Sequence, residues 1–516
     1  MMLRFRDKSK SVRRSARILI AAAVLALCLP AAGGLAESIG LTILHTNDTH
    51  GHLLPFSYPE MVPRGSALAQ LSKRHDIGGI ARRAALAGTI RAQLQKRGTT
   101  VWLVDAGDFS DGTPFSIEYH GEADVAAMNA AGYNFGALGN NEFSRSLDQT
   151  RKLIDLAEFP MLCANAVLKD GGRPLAKPYV IQNIGPLRVA LFGLLTREAR
   201  AYPAARQGVI VSDPLESAQR MAERLKTHAD ILIVLSHCGD EVDRRIAERI
   251  DEIDVIVGGH SHSRLPSGRF VWHGEELKAN DVEGTILVQN HQWGGELGRL
   301  DLLFSQDDEG RWHVDRYRAR LLPVTGEGAE DPAVAAVVDR FWKPLAARYG
   351  EIIGQAVGDF VTLEDDMAEY NLMADAIRTT FKTDFVLENI GGIRSPLVQG
   401  PITRGDLVAM DPFGNTIVTF KLDGRTLKRL LRTETPAVSG IRYRIEDHVL
   451  AEAYCAGRPL VDDRIYTGAT NSFFARNWLK EIPVQDPGRR RLDVLAEYIR
   501  GRGRIAPVHD GRRTVR

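Results

Sequence analysis

The sequence predicts an α/β fold in two parts, and three observations carry that prediction. Short, continuously apolar runs alternate with helical patterns over the first 260 or so residues. Four of five histidine- and aspartate-bearing motifs follow directly on one of those runs. A capped helical stretch near residue 340 is then followed by a second α/β pattern. At 516 residues the chain exceeds what one core ordinarily holds, so at least two domains are expected.

Before the first run, seven basic residues from Arg4 to Arg17 face a single acid, Asp7. An apolar stretch from Ile18 to Leu29 and the small residues ending at Gly34-Leu35-Ala36 complete the pattern of a secretory signal peptide over residues 1–36. The apolar stretch falls short of the roughly 20 residues that span a bilayer, so a cleaved signal is expected, not a stable membrane anchor. A periplasmic or secreted location follows. The whole chain has 66 basic and 65 acidic residues. Without the seven basic residues and one acid of the signal, 59 face 64, a mildly acidic balance that speaks against a nucleic-acid partner. Three cysteines remain, Cys163, Cys238 and Cys455, and allow at most one bridge.

Residues 41–46, 99–104, 189–194, 231–235 and 254–257 read as strands buried on both faces. Residues 78–97, 122–131 and 214–228 have helical spacing. Residues 300–304 and 312–323 read as antiparallel strands closing the first part. Asp331-Pro332 opens a helix, with proline at its first position, that runs to about Tyr349, and Gly350 marks its stop. A second α/β unit begins at Ile352. Its arginine-rich end, 488–516, reads as a solvated face.

The five motifs are Asp48-Thr49-His50, Gly107-Asp108, Gly139-Asn140-Asn141-Glu142, Ser236-His237 and Gly259-His260-Ser261-His262. Asp48 and His50 are spaced to face one ion. Asp108 has two oxygens and can bridge two cations. Asn140 offers a neutral carbonyl, and His237, His260 and His262 offer imidazoles. In α/β sheets, ligand sites gather beyond the carboxyl ends of strands, so these groups are expected in one crevice. Mixed nitrogen and oxygen donors suit Mn, Zn, Fe or Co better than calcium. Two such ions support phosphoryl transfer by a metal-activated hydroxide. Phe109, Phe115 and Trp293 read as packing residues, and His45 as a satisfied core histidine. His52 and His291 are left open.

The order Thr-Asn-Asp-x-His, Gly-Asp, Gly-Asn-x-Glu, Ser-His, Gly-Gly-His-Ser-His resembles the calcineurin-like metallophosphoesterases, and more closely the exported 5′-nucleotidase family. Asn389-Ile390-Gly391-Gly392-Ile393-Arg394, Pro412-Phe413-Gly414-Asn415, the Asn371–Ala376 stretch and Thr470-Asn471-Ser472-Phe473 resemble its C-terminal signature. The resemblance implies a four-layer αββα metallophosphoesterase domain over 37–328, a linker helix over 329–350 and a smaller substrate-binding domain over 351–516. It implies one divalent ion on Asp48, His50, Asp108 and His262, with Asp108 bridging, and a second completed by Asn140, His237 and His260. Arg394, Phe413, Asn415 and Phe473 would bind a nucleotide or related phosphate ester.

Three departures stand out. The family's catalytic histidine and the aspartate that orients it are here Asn141 and Ser144. Loss of such an acid–base group costs about 10²–10⁴ in rate, or roughly 3–5 kcal/mol of barrier. Phe473 leads into Phe474-Ala475-Arg476-Asn477-Trp478-Leu479, not the family's glycine-rich ribose turn. Asp365, Asp366 and Met367 stand where the family has arginines. The leading expectation is an attenuated nucleotide hydrolase. A metal- and nucleotide-binding protein without turnover and a thiosulfohydrolase-like enzyme are the alternatives.

Overall fold

The computed structural model describes residues 38–62, 66–71, 73–273 and 284–516, so the signal-peptide expectation lies outside the described residues. Two six-stranded sheets form the first part. One runs 312–323, 296–306, 39–46, 100–105, 135–137, 161–162 in strand order. The other runs 269–272, 284–288, 255–258, 231–237, 187–195, 179–184. Period-two alternation explains how they stack. Leu41, Ile43, Trp102 and Val104 point inward and meet Val189, Leu191, Ile233 and Val257 of the second sheet. Leu44, Val101 and Leu103 point outward against Ile80, Ala84, Val125 and Met128 of the helices Ile80–Gln95 and Glu122–Ala131. On the far face, Phe192 and Val234 meet Ala218, Met221 and Ile246 of Pro214–Leu225 and Asp240–Ala247. The result is the four-layer αββα arrangement. Each fully buried Val, Leu or Ile contributes about 1.5–3 kcal/mol.

The expected elements are present with small shifts in their ends. The first helix starts at Ile80, not 78, because Gly78 and Gly79 hold φ of 71° and 87°. The helix expected to 228 ends at Leu225. Asp331 caps Pro332–Tyr349 by accepting from Ala333 N and Val334 N. Gly350 does stop it, but from a right-handed conformation with φ −82°. Its need for glycine is steric: a Cβ there would stand 2.7 Å from the Ala346 carbonyl oxygen.

The second part holds a five-stranded sheet in the order 437–439, 385–388, 465–471, 417–423, 484–485, and a four-stranded sheet around Ile441–Glu446 and Val449–Cys455. The solvated-face reading of 488–516 fails at Arg491. That side chain is fully buried, with Nε donating to Asp411 Oδ2 at 2.7 Å and Nη1 to Glu388 Oε2 at 2.5 Å. Arg512 is likewise spent on Asp375, at 2.7 Å. All three cysteines are buried and free, so none of the allowed bridges forms. His45 is a core residue but not a satisfied one: its Nδ1 has no partner, and burial pushes its pKa down to about 3. Its ring fills the space where a Cβ on Gly298 would stand. Among the described residues, no helix is long and apolar enough to cross a membrane.

Candidate active site

The loops that follow the central strands are laced together by their backbones. Asp48 N donates to Gly107 O at 2.9 Å and His50 N to Asp108 O at 3.0 Å. Glu142, buried, accepts from Gly139 N, Asp108 N and Ser110 N at 2.7, 3.0 and 3.1 Å. That carboxylate fixes the Gly-Asp loop against the Gly-Asn-Asn-Glu turn. Asp48, His50, Asp108, His260 and His262 all hold φ between 47° and 73°. Left-handed backbone costs a non-glycine residue about 1–2 kcal/mol, and such strain gathers at functional sites. Here it turns five side chains into one crevice.

Two donor groups result. Asp48, His50 and His262 offer ligand atoms within 4.8 Å of one another, and so do Asp108, His237 and His260. His50 Nε2 lies 3.2 Å from His262 Nε2, and His262 Nε2 lies 3.4 Å from Asp48 Oδ1. His237 Nε2 lies 3.2 Å from Asp108 Oδ2 and 3.9 Å from Asp48 Oδ1, which joins the two groups. Asn140 stands beside the second group. Its Nδ2 is held by Tyr202 Oη at 2.9 Å, and its Oδ1 is buried without a hydrogen-bond partner. His237 Nε2 is buried too, and its contact with Asp108 Oδ2 at 3.2 Å is not a well-formed hydrogen bond. A buried lone pair left unpaired costs about 1–3 kcal/mol, and a cation would satisfy both. The residues therefore fit divalent metal.

Charge supports that fit. Burial pushes the His50 pKa down to about 4, so it is a neutral donor. Burial opposes ionisation of Asp48, yet His262, His237 and His50 hold it well below the usual carboxylate range. Desolvation also opposes a charge on His237, but Asp108 and Asp48 overcome it and lift its pKa to about 10. The carboxylates draw positive charge into the site, and metal would compete with that proton.

Asn141 lies where the sequence places the lost histidine. Its backbone N–H donates to Asp108 Oδ1 at 2.8 Å, and its side-chain amide lies 3.0 Å from His50 Nδ1. His50 Nδ1 also lies 3.1 Å from the Asp111 carbonyl; an Nδ1–H donated there, and not a bond from the Asn141 amide, is the tautomer that turns Nε2 toward the metal position. Asn141 and Ser144 line a cleft of about 380 Å³ together with His50, His262, Arg394 and Phe413. The second part thus faces the donor groups.

Phe413 and Phe473 are 46% and 43% exposed, which rules out core packing for either. The Arg394 guanidinium sits 5.3 Å from the Phe413 ring centre. Asn415 does not line the cleft. Its Oδ1 accepts from Ser472 Oγ at 3.1 Å, tying the Phe413 loop to the Phe473 loop. Phe109 and Phe115 are packing residues. Trp293 is buried, but it also walls the cleft, where it stacks on His52 with ring centres 4.6 Å apart. His52 hydrogen-bonds backbone carbonyls and belongs to neither donor group. His291 faces Tyr58 Oη at 3.4 Å. Sequence reasoning missed Tyr202, Arg145, Asp111 and the clasp of Glu142. Of these only Glu142 left a local signal, three residues after a glycine it must hold.

Residues 41–264 match the family model "Calcineurin-like phosphoesterase", and residues 353–481 match "5′-nucleotidase, C-terminal domain". The chain is 29% identical over 489 residues to a 5′-nucleotidase of Vibrio cholerae, with 84% of each chain covered. It is 28% identical to one of Vibrio parahaemolyticus, covering 84% of this chain and 83% of the relative. Its structure matches that of a 5′-nucleotidase precursor from Thermus thermophilus with a TM-score of 0.79 and 28% identity, covering 92% and 99% of the two chains. A sulfate thiohydrolase, SoxB, shares the fold at a TM-score of 0.76 and 22% identity, a likeness of fold alone. Taken with the donor groups at the strand ends, these matches place the chain in the 5′-nucleotidase family, as a metal-dependent hydrolase of phosphoric esters.

Proposed function

We propose that this protein is an exported two-metal phosphoesterase that hydrolyses nucleotides, with the contribution of the family's histidine removed. The reading rests above all on the two adjoining donor groups, with Asn140 Oδ1 buried and unpaired beside the second. Asp48, His50 and His262 would hold one ion, and Asp108, Asn140, His237 and His260 the other. Mn, Zn, Fe or Co suits these donors. When bound, the pair supplies the nucleophile and the electrostatic clamp for in-line displacement at phosphorus.

The residues of the chain do the rest. Tyr202 orients Asn140, and the Asp111 carbonyl orients His50. Arg394 and Phe413 close the cleft over the phosphate ester and its base. An exposed aromatic face accepts any base, because every base has a π-face. Asn141 can donate a hydrogen bond to a phosphoryl oxygen but carries no charge and no transferable proton, so water protonates the leaving group. The domain limits 37–328, 329–350 and 351–516 and the cleaved signal over 1–36 belong to this reading.

The test is metal content. After loading with Mn²⁺ and desalting, about two ions per chain are expected. A protein that retains no stoichiometric transition metal contradicts the proposal. Tight AMP binding by the loaded protein without phosphate release over hours would instead identify a binding protein.

A further inference from the structure

The altered motif lacks a cation at residue 141, yet the next arginine along the chain enters the same cleft. Arg145 lines it together with Asn141, Ser144, His50, His262 and Arg394. Its Nε is buried and has no hydrogen-bond partner. Its Nη2 stands 3.8 Å from Asp111 Oδ1, beyond hydrogen-bond reach. A surface ion pair would leave Nε in water; here burial strips the water and the protein offers no acceptor. The planar guanidinium fork fits the oxygens of a phosphoryl group. Across the cleft, Arg394 presents a second guanidinium against the face of Phe413.

We propose that Arg145 contacts the phosphoryl group and supplies the positive charge that residue 141 no longer carries, forming a two-arginine clamp with Arg394. Asp111 stands beside Arg145 at 3.8 Å, near enough to favour its charge without holding the guanidinium. The charge of the lost dyad has been relocated by four residues, not discarded. A guanidinium offers a forked set of N–H donors and no acceptor, so the role of Arg145 is to stabilise charge. This goes beyond the proposed function, which assigns Arg145 nothing, but it rests on that reading for the metal site.

The experiment compares the Mn²⁺-loaded full chain with Arg145→Gln and Arg145→Lys, reading orthophosphate affinity by calorimetry and phosphate release from AMP. Arg145 is 40% exposed, so both variants are expected to fold and to keep their metal. Arg145→Gln should weaken orthophosphate binding at least about ten-fold and lower kcat by about 10²-fold, a loss like that of one oxyanion donor. Arg145→Lys should recover part of the binding, since it keeps the charge but not the fork. Orthophosphate affinity that ignores residue 145, or a loaded protein that binds no orthophosphate, overturns the assignment. A protein that takes up no metal overturns the reading beneath it instead, and metal content separates the two failures.

Discussion

Replacing Arg491 with methionine should destabilise the second part of the chain by several kcal/mol, and the structure says why. The side chain is 0% exposed. Its guanidinium joins Glu388 at 2.5 Å and Asp411 at 2.7 Å, and its Nη2 donates to the Gly392 carbonyl. Those three contacts lie in or beside the loops that carry Arg394 and Phe413. Removing one partner of a buried ion pair costs about 3–5 kcal/mol, because the remaining charge is left uncompensated. Asn471 Nδ2 still donates to Glu388 Oε2 at 3.1 Å, but Glu388 Oε1 and Asp411 Oδ1 already lack partners. Acid should narrow the deficit. Burial raises the Glu388 pKa even with Arg491 opposing it. A carboxyl raised in the folded state contributes stability that is complete below its ordinary value of 4.5 and is lost as pH rises through the folded value. Without Arg491 that rise is larger, so the variant loses most near neutrality and least near pH 4.5. Urea unfolding followed at pH 7.5 and pH 5 measures this, provided the m-value is unchanged. A loss below about 1 kcal/mol at neutral pH, or one that widens in acid, would show that Arg491 does not compensate these buried carboxylates.

Three further outcomes are expected. Tyr202→Phe frees the amide of Asn140 and should lower Mn²⁺ affinity about 10–100-fold in a calorimetric titration; unchanged affinity would show that Tyr202 does not orient Asn140. Asp243 is fully buried, and burial raises its pKa to about 8. Its stabilising effect is therefore complete below its ordinary 3.8 and is lost as pH rises through 8. Asp243→Asn should abolish a decline of up to about 1.4 kcal/mol per pH unit across that window, and parallel stability curves for the two proteins would rule this out. The double variant Asn141→His, Ser144→Asp should release phosphate from AMP at least about ten-fold faster, and an unaltered rate would mean that residue 141 does not limit turnover.

Wherever burial pattern and chain order coincide, the fold was legible. Leu41, Ile43 and Leu44 belong to one buried, mostly apolar strand, and the sheet sorts them to its two faces. Helix ends were legible where the signal is local, as at Asp331 and Gly350, and less so at Leu225, where the expected helix ran on to 228. The metal donors could be found because each sits at a strand end with its own short motif. Tyr202 and Arg145 could not, because their meaning lies in what they face: Asn140, 62 residues earlier in the chain, and the cleft. The arginine-rich end misled for the same reason. Arg491 finds its acids 80 and 103 residues back, a pairing that no local charge pattern records.

The most direct test of the account is phosphate release from AMP by the Mn²⁺-loaded protein, before and after stripping with a chelator. Measurable turnover is expected, disappearing on chelation and returning when Mn²⁺ is restored. Turnover indifferent to the chelator, or none at any metal concentration, would contradict it.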